Sequence, residues 1–133
     1  MTAATNYSIK KYDNATSIVY TNVKGSGGDG DAALWRSDTV AGPVGQHPWF
    51  SLTSKWNGDK TARRIDVAFA YPSVYTETNT SLQKVIGVVP MSFSIVVPQG
   101  IVIADIQEAS AQAVHLLSDP QTIAQIVAGF AAT

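Results

Sequence analysis

What most constrains the fold of this chain is the succession of patterns between residues 88 and 130. Met91, Phe93, Ile95 and Val97 alternate there with Ser92, Ser94 and Val96. An alternation of period two predicts a half-buried strand, which Pro98 and Gly100 bring to an end. Two helical patterns come next. In the first, Ile106, Ala109, Ala113 and Leu117 recur at three- and four-residue spacing, with Val114 and Leu116 widening the stripe. Ser118-Asp119-Pro120 predicts a break and a restart, a capping side chain followed by proline at the first helical position. The second helix carries Ile123, Ile126, Val127 and Phe130 on one side and ends at Gly129. Two short helices with apolar stripes need a surface to cover. The chain before residue 88 is therefore read as the sheet.

That reading holds along the chain. Residues 7–12 and 16–23 are β-rich runs joined through Asp13-Asn14, a hairpin. Residues 24–31 form a loop whose glycines, Gly25, Gly27 and Gly30, satisfy G-x-G-x-x-G. A dinucleotide site needs a long helix directly after such a loop, whereas the short run 32–37 is predicted to be extended, so the motif is read as a flexible loop. Residues 49–56 form a strand with Phe50, Leu52 and Trp56 on one face and Trp49, Ser51, Thr53 and Lys55 on the other. Asn57-Gly58 turns the chain. The next strand, 64–71, puts Ile65, Val67, Phe69 and Tyr71 on the core face and Arg64, Asp66, Ala68 and Ala70 opposite, with Pro72 as its end. The polar connection 73–82 is long for a hairpin. About six mostly antiparallel strands followed by two helices make the fold class α+β, with the helices segregated to one face.

Composition narrows the function. A chain of 133 residues predicts one domain with a core of its own. It has no cysteine, which removes disulfides, a thiolate nucleophile and a cysteine zinc site, and fits a reducing compartment. Charged residues make up 14% against an average of about 25%, the net charge is −1, and 45% of the chain is hydrophobic. Such a surface suits contact with other protein and carries no global nucleic-acid signature. The longest apolar run is too short for a bilayer, and the opening residues 1–6 have no signal-peptide pattern. No serine has a nucleophile setting. His47 and His115 stand alone, and no carboxylate or histidine cluster has metal-ligand spacing. The expectation is a protein that is not an enzyme, with no metal and no cofactor.

The sheet face opposite the core gathers Ser51, Thr53 and Lys55, then Arg64 and Asp66, then Ser92 and Ser94, with Lys60 and Arg63 nearby. Two readings of it stand side by side. It is an ordinary solvated face, or it is a platform whose cations engage phosphates and whose hydroxyls bond to backbone and bases.

The order of these parts resembles the coat proteins of single-stranded RNA bacteriophages, the levivirus-like capsid proteins. Residues 62–72, a strand with a basic start that closes in proline, carry the resemblance. So do 89–98, again ending in proline, and the helix–break–helix tail from 113 to 130. The resemblance spans essentially the whole chain and implies one domain over 1–133. It implies a hairpin at about 7–23, a five-stranded antiparallel sheet within about 31–98, and helices within about 104–130 that pack on a partner subunit. It further implies an interlocked homodimer that assembles into an icosahedral shell around genomic RNA, with the connection 73–82, extended to 85, at the symmetry axes. The chain would be made in the bacterial cytoplasm, reside in the virion and meet no membrane. By strand position the RNA-binding residues would be Ser51, Thr53, Lys55, Arg64, Asp66 and Ser92, and an RNA hairpin bound there would repress replicase translation. Asp66, Ala68 and Pro90 depart from the family pattern, and packaging by general electrostatics tolerates them better than recognition of one hairpin does. The competing expectation is a small dimeric RNA-binding protein that does not assemble.

Overall fold

The structure, a computed structural model, describes residues 3–38 and 42–132, without the side chain of Gln83. Met1 and Thr2 of the opening stretch read above lie outside the described residues. The strands are β1 (Tyr7–Lys10), β2 (Ser17–Lys24), β3 (Ala32–Arg36), β4 (Trp49–Trp56), β5 (Ala62–Thr76) and β6 (Gln83–Pro98), with a 3-10 turn at Val44–Gln46. They form one sheet in chain order, and each pairing from β1 through β5 is antiparallel. Helices α1 (Ile103–Ser118) and α2 (Pro120–Ala128) complete the order. The chain divides into two compact units, Met1–Val96 and Val97–Thr133. The sheet has six strands instead of five plus a hairpin, because β2 pairs with β1 on one side and β3 on the other.

The hairpin forms where Asp13 satisfies the turn. Its Oδ1 accepts from the backbone N–H of Ala15 and Thr16, and its Oδ2 from the Thr16 hydroxyl at 2.6 Å. These donors, the Thr16 hydroxyl first, hold the Asp13 pKa down to about 2. The loop after β2 is tied down, not free. Asp31 bonds Lys24 Nζ at 2.7 Å and the Gly27 N–H at 2.6 Å, Gly30 N–H donates to the Ser54 carbonyl, and Asp29 accepts from Trp56 N–H. The loop leads into the strand β3, so the glycine motif has no helix to serve a dinucleotide.

Packing in the first unit centres on Tyr20, Ala33, Trp35 and Phe50, with Ile18, Leu52 and Phe69 against them. Trp35 stacks on Phe50 at 5.1 Å and 10°, and the Tyr7 ring meets both edge-on at 5.3 Å. The Trp35 indole N–H donates to the Thr5 carbonyl at 2.8 Å, which fastens the entry to β1. Burial pushes the Tyr20 phenol up to about 12, with Tyr71 adding to the shift. The core face expected from alternation is right in direction, yet only its hairpin end is buried. Phe50 is buried and Leu52, Ile65 and Val67 are half-buried, while Phe93 and Tyr71 are 46% and 51% exposed.

Two boundaries differ from expectation. β5 runs through Pro72 to Thr76, and β6 begins at Gln83 and runs through Pro90. The ladder from β4 to β5 stops at Ala70, so Pro72 costs no hydrogen bond there. β6 is the last strand in the order, where an edge tolerates a proline. The long connection thus shrinks to residues 77–82, closed by Glu77 N–H to Leu82 O and Ser81 N–H to Glu77 O.

In the second unit, Asp119 caps α2 by accepting from Gln121 N–H at 2.9 Å, with Pro120 at the first turn as expected. Gly129 ends α2 in the left-handed conformation, φ 79°, where its N–H reaches the Gln125 and Ile126 carbonyls. Neither helix contains a buried residue. Ile106 and Ile123 are half-buried, while Leu117, Ile126 and Val127 are 46%, 53% and 79% exposed. Among the described residues no helix is long and apolar enough to cross a membrane.

Candidate nucleic-acid interface

Side chains directly opposite one another in an antiparallel pair share a face. The register pairs Ser51 with Ala68, Thr53 with Asp66 and Lys55 with Arg64. On the β3 side it pairs Ser51 with Leu34 and Thr53 with Ala32. Five of the six expected site residues, Ser51, Thr53, Lys55, Arg64 and Asp66, therefore stand together on one face, with Phe50, Leu52, Val67 and Phe69 on the other. Ser92 is exposed on β6, the strand next to β5. The hydroxyls lie toward the middle of β4 and the cations near its end.

The charges on this face are not equivalent. Arg64 Nε donates to Asp66 Oδ1 at 2.8 Å, and both side chains are well exposed, so the pair is weak and open to exchange. Among the described residues Lys55 has no carboxylate at ion-pairing distance, and its nearest charged neighbour across the ladder is the like charge of Arg64. Lys55 is the freer cation. A phosphate approaching the Lys55–Arg64 pair relieves repulsion between them, whereas Asp66 opposes it.

Arg63, read from the sequence as lying near this face, is on the other side. It pairs with Trp56, its guanidinium sits 4.9 Å from the centre of that indole, and it donates to Ser54 Oγ at 2.6 Å. One step of strand phase separates it from Arg64. Arg36 was missed by sequence reasoning. It lies opposite Trp49, on the face that carries Ser51, and its Nε bonds Asp38 Oδ1 at 3.0 Å. That bond, with His47 nearby, holds the Asp38 carboxyl below the usual range. The alternation of Leu34 and Arg36 with Ala33 and Trp35 was the signal available for it.

No family model and no curated protein sequence matches this chain. Solved structures do. It is similar to the virus-like particle of bacteriophage NT-214, with TM-score 0.79 and 14% identity over 99% of this chain and 100% of that one. For the virus-like particle of bacteriophage ESE058 the TM-score is 0.75 at 15% identity, covering 98% and 100%. For the protein capsid of bacteriophage GA it is 0.74 at 14% identity, covering 96% and 95%. Likeness of this kind is likeness of fold, and over nearly its whole length this chain has the phage coat-protein fold.

Proposed function

We propose that this chain is the structural capsid subunit of a single-stranded RNA phage, one coat-protein domain over residues 1–133 with no catalytic role and no cofactor. It pairs with a second copy, the pairs assemble into a closed icosahedral shell, and the shell encloses RNA on the face that carries Ser51, Thr53, Lys55, Arg64, Asp66 and Ser92. The subunit is made in the bacterial cytoplasm and ends in the virion. The observation that carries this reading is the whole-chain likeness in fold to proteins solved as capsids and virus-like particles.

The distribution of apolar residues supports the pairing. β6 is 16 residues long and last in the sheet order, and it exposes Ile86, Val88, Val89, Met91 and Phe93. Such an edge is a template for another strand unless something covers it. The helices add Ile103, Val114, Leu116 and Leu117, and Phe130, expected on the second helix, is exposed just past its end at Ala128. Apolar surface of this kind marks an interaction surface, and obligate interfaces are large and apolar.

Within the proposal, packaging rests on Lys55 and Arg64 as phosphate contacts, and the hydroxyls supply bonds to sugar and base. Repression by a particular RNA hairpin would be a further role, which Asp66 and Ala68 make harder by removing cations from the face. Size-exclusion chromatography with nuclease treatment tests the function. A megadalton fraction holding nuclease-resistant RNA is expected. A species near twice the 14.1 kDa chain mass that binds RNA would instead identify a small dimeric RNA-binding protein without assembly.

A further inference from the structure

Apart from the six residues discussed, the same sheet face carries a hollow of about 390 Å³ lined by Leu34, Arg36, Val44, Gly45, His47 and Trp49. Leu34, Arg36 and Trp49 belong to the face by register, since Leu34 pairs with Ser51 and Arg36 with Trp49. The remaining wall comes from the 3-10 turn and the residues that leave it. That turn touches β5, and His47 pins it, with Nε2 3.0 Å from the Gly42 carbonyl. Because a carbonyl oxygen only accepts, Nε2 is the nitrogen that carries the proton in the neutral ring. His47 is 7% exposed, so its part is to shape the wall, whereas Trp49 keeps 38% of its surface open.

We infer that this hollow holds one unpaired nucleotide of the enclosed RNA, its base flat on the Trp49 indole and its phosphate at Arg36; the inference rests on the RNA-packaging reading above. Three observations select this occupant. An open indole beside a guanidinium is the combination that binds single-stranded nucleic acid without regard to sequence, because every base has a π face. The six lining residues include no carboxylate, and Asp38, which accepts from Arg36 Nε and opposes a phosphate there as Asp66 does at Arg64, stands outside the lining. The volume lies at the small end of ligand sites, suited to one planar group and not to a folded partner. Trp49 is six positions from Lys55 along β4, roughly 20 Å at ~3.3 Å per residue. The two are therefore separate contacts on one track. Stacking at Trp49 contributes no released counterion, whereas Lys55 does.

The experiment uses the purified chain and a short oligouridylate carrying one 5-iodouridine. Affinity is measured across salt concentrations, and photo-adducts are mapped by mass spectrometry. The expected result is an adduct on Trp49. Trp49→Leu should bind about ten-fold more weakly with an unchanged salt slope, Trp49→Phe should bind nearly like the parent, and Lys55→Ala should flatten the slope. If Trp49→Leu does not fold, adducts of the parent decide: residues 44–49 support the site, and adducts confined elsewhere overturn it. Parent-like binding by Trp49→Leu without an adduct on Trp49 also overturns it. If Lys55→Ala still flattens the slope in that case, the packaging reading survives. Particles missing in Trp49→Leu at unchanged RNA affinity would give the hollow to a neighbouring subunit and overturn the inference. A parent chain that binds no oligonucleotide would remove both readings.

Discussion

The aromatic cluster beneath the hairpin and the two carboxy-terminal helices are built from the same classes of residue and end in opposite states. Tyr20, Trp35 and Phe50 are 2–6% exposed, while Ile103 and Val127 are 72% and 79% exposed. Each region follows its own periodicity, and each pattern promises a buried face. In the first the burying atoms lie a few residues away across the ladder, in Tyr7, Leu52 and Phe69. In the second, among the described residues, no helix position is buried at all. A binary pattern therefore says that a face will be covered, and not whose atoms cover it.

Breaking the self-sufficient region should have the largest effect. Trp35→Ala removes the stack on Phe50 and the bond to Thr5, and should cost about 3–5 kcal/mol, read as a shifted urea midpoint. A loss under about 1 kcal/mol would mean the cluster is not the core. The helices sharpen the contrast. Leu117→Ala with Ile126→Ala should cost ~1.5–3 kcal/mol per side chain if assembly buries them, with loss of particles and a thermal midpoint that varies with protein concentration. If they stay exposed, the change is within about 0.5 kcal/mol and particles form as before.

The same distinction explains what was legible beforehand. The strand Trp49–Trp56, the Asp119-Pro120 restart and the Gly129 stop are local matters of phase, capping and φ, and sequence carries them directly. Pro72 misled because its meaning depends on partners. A proline breaks a strand only where the ladder needs the N–H that it lacks, and the pairing of β4 with β5 ends at Ala70. The core was misjudged in the same way. Phe93 and Ile95 alternate as faithfully as Phe50, but the hairpin rings that cover Phe50 approach from Tyr7 and Tyr20, a tertiary fact. On the candidate site, alternation alone grouped Ser51, Thr53, Lys55, Arg64 and Asp66 correctly. It said nothing of the Arg64–Asp66 pair, which depends on rotamers.

Smaller effects test the sheet face and the hairpin. Lys55→Ala with Arg64→Ala should leave the fold intact and lower the slope of log affinity for RNA against log salt by roughly 0.7–0.9 for each phosphate no longer engaged. Since Asp66 engages Arg64, Lys55→Ala alone should account for most of the loss, and Asp66→Asn should strengthen binding. An unchanged slope in the double variant would return the face to ordinary solvated surface. The least effect belongs to Asp13. Its folded pKa of about 2 lies below the ordinary aspartate value of 3.8, so its contribution is complete above that value and fades as pH falls toward 2. Asp13→Asn should remove this small fall from the acid unfolding profile. A parent profile identical to that of the variant through the window would contradict the hairpin assignment.

If the proposed function holds, the exposed strand edge and helices are covered by further copies of the same chain. Negative-stain electron microscopy of the chain expressed alone in bacteria, with nothing else added, is the decisive measurement. Closed shells of uniform size are the predicted result. Discrete dimers that persist at high protein concentration, with no particles on the grid, would contradict it.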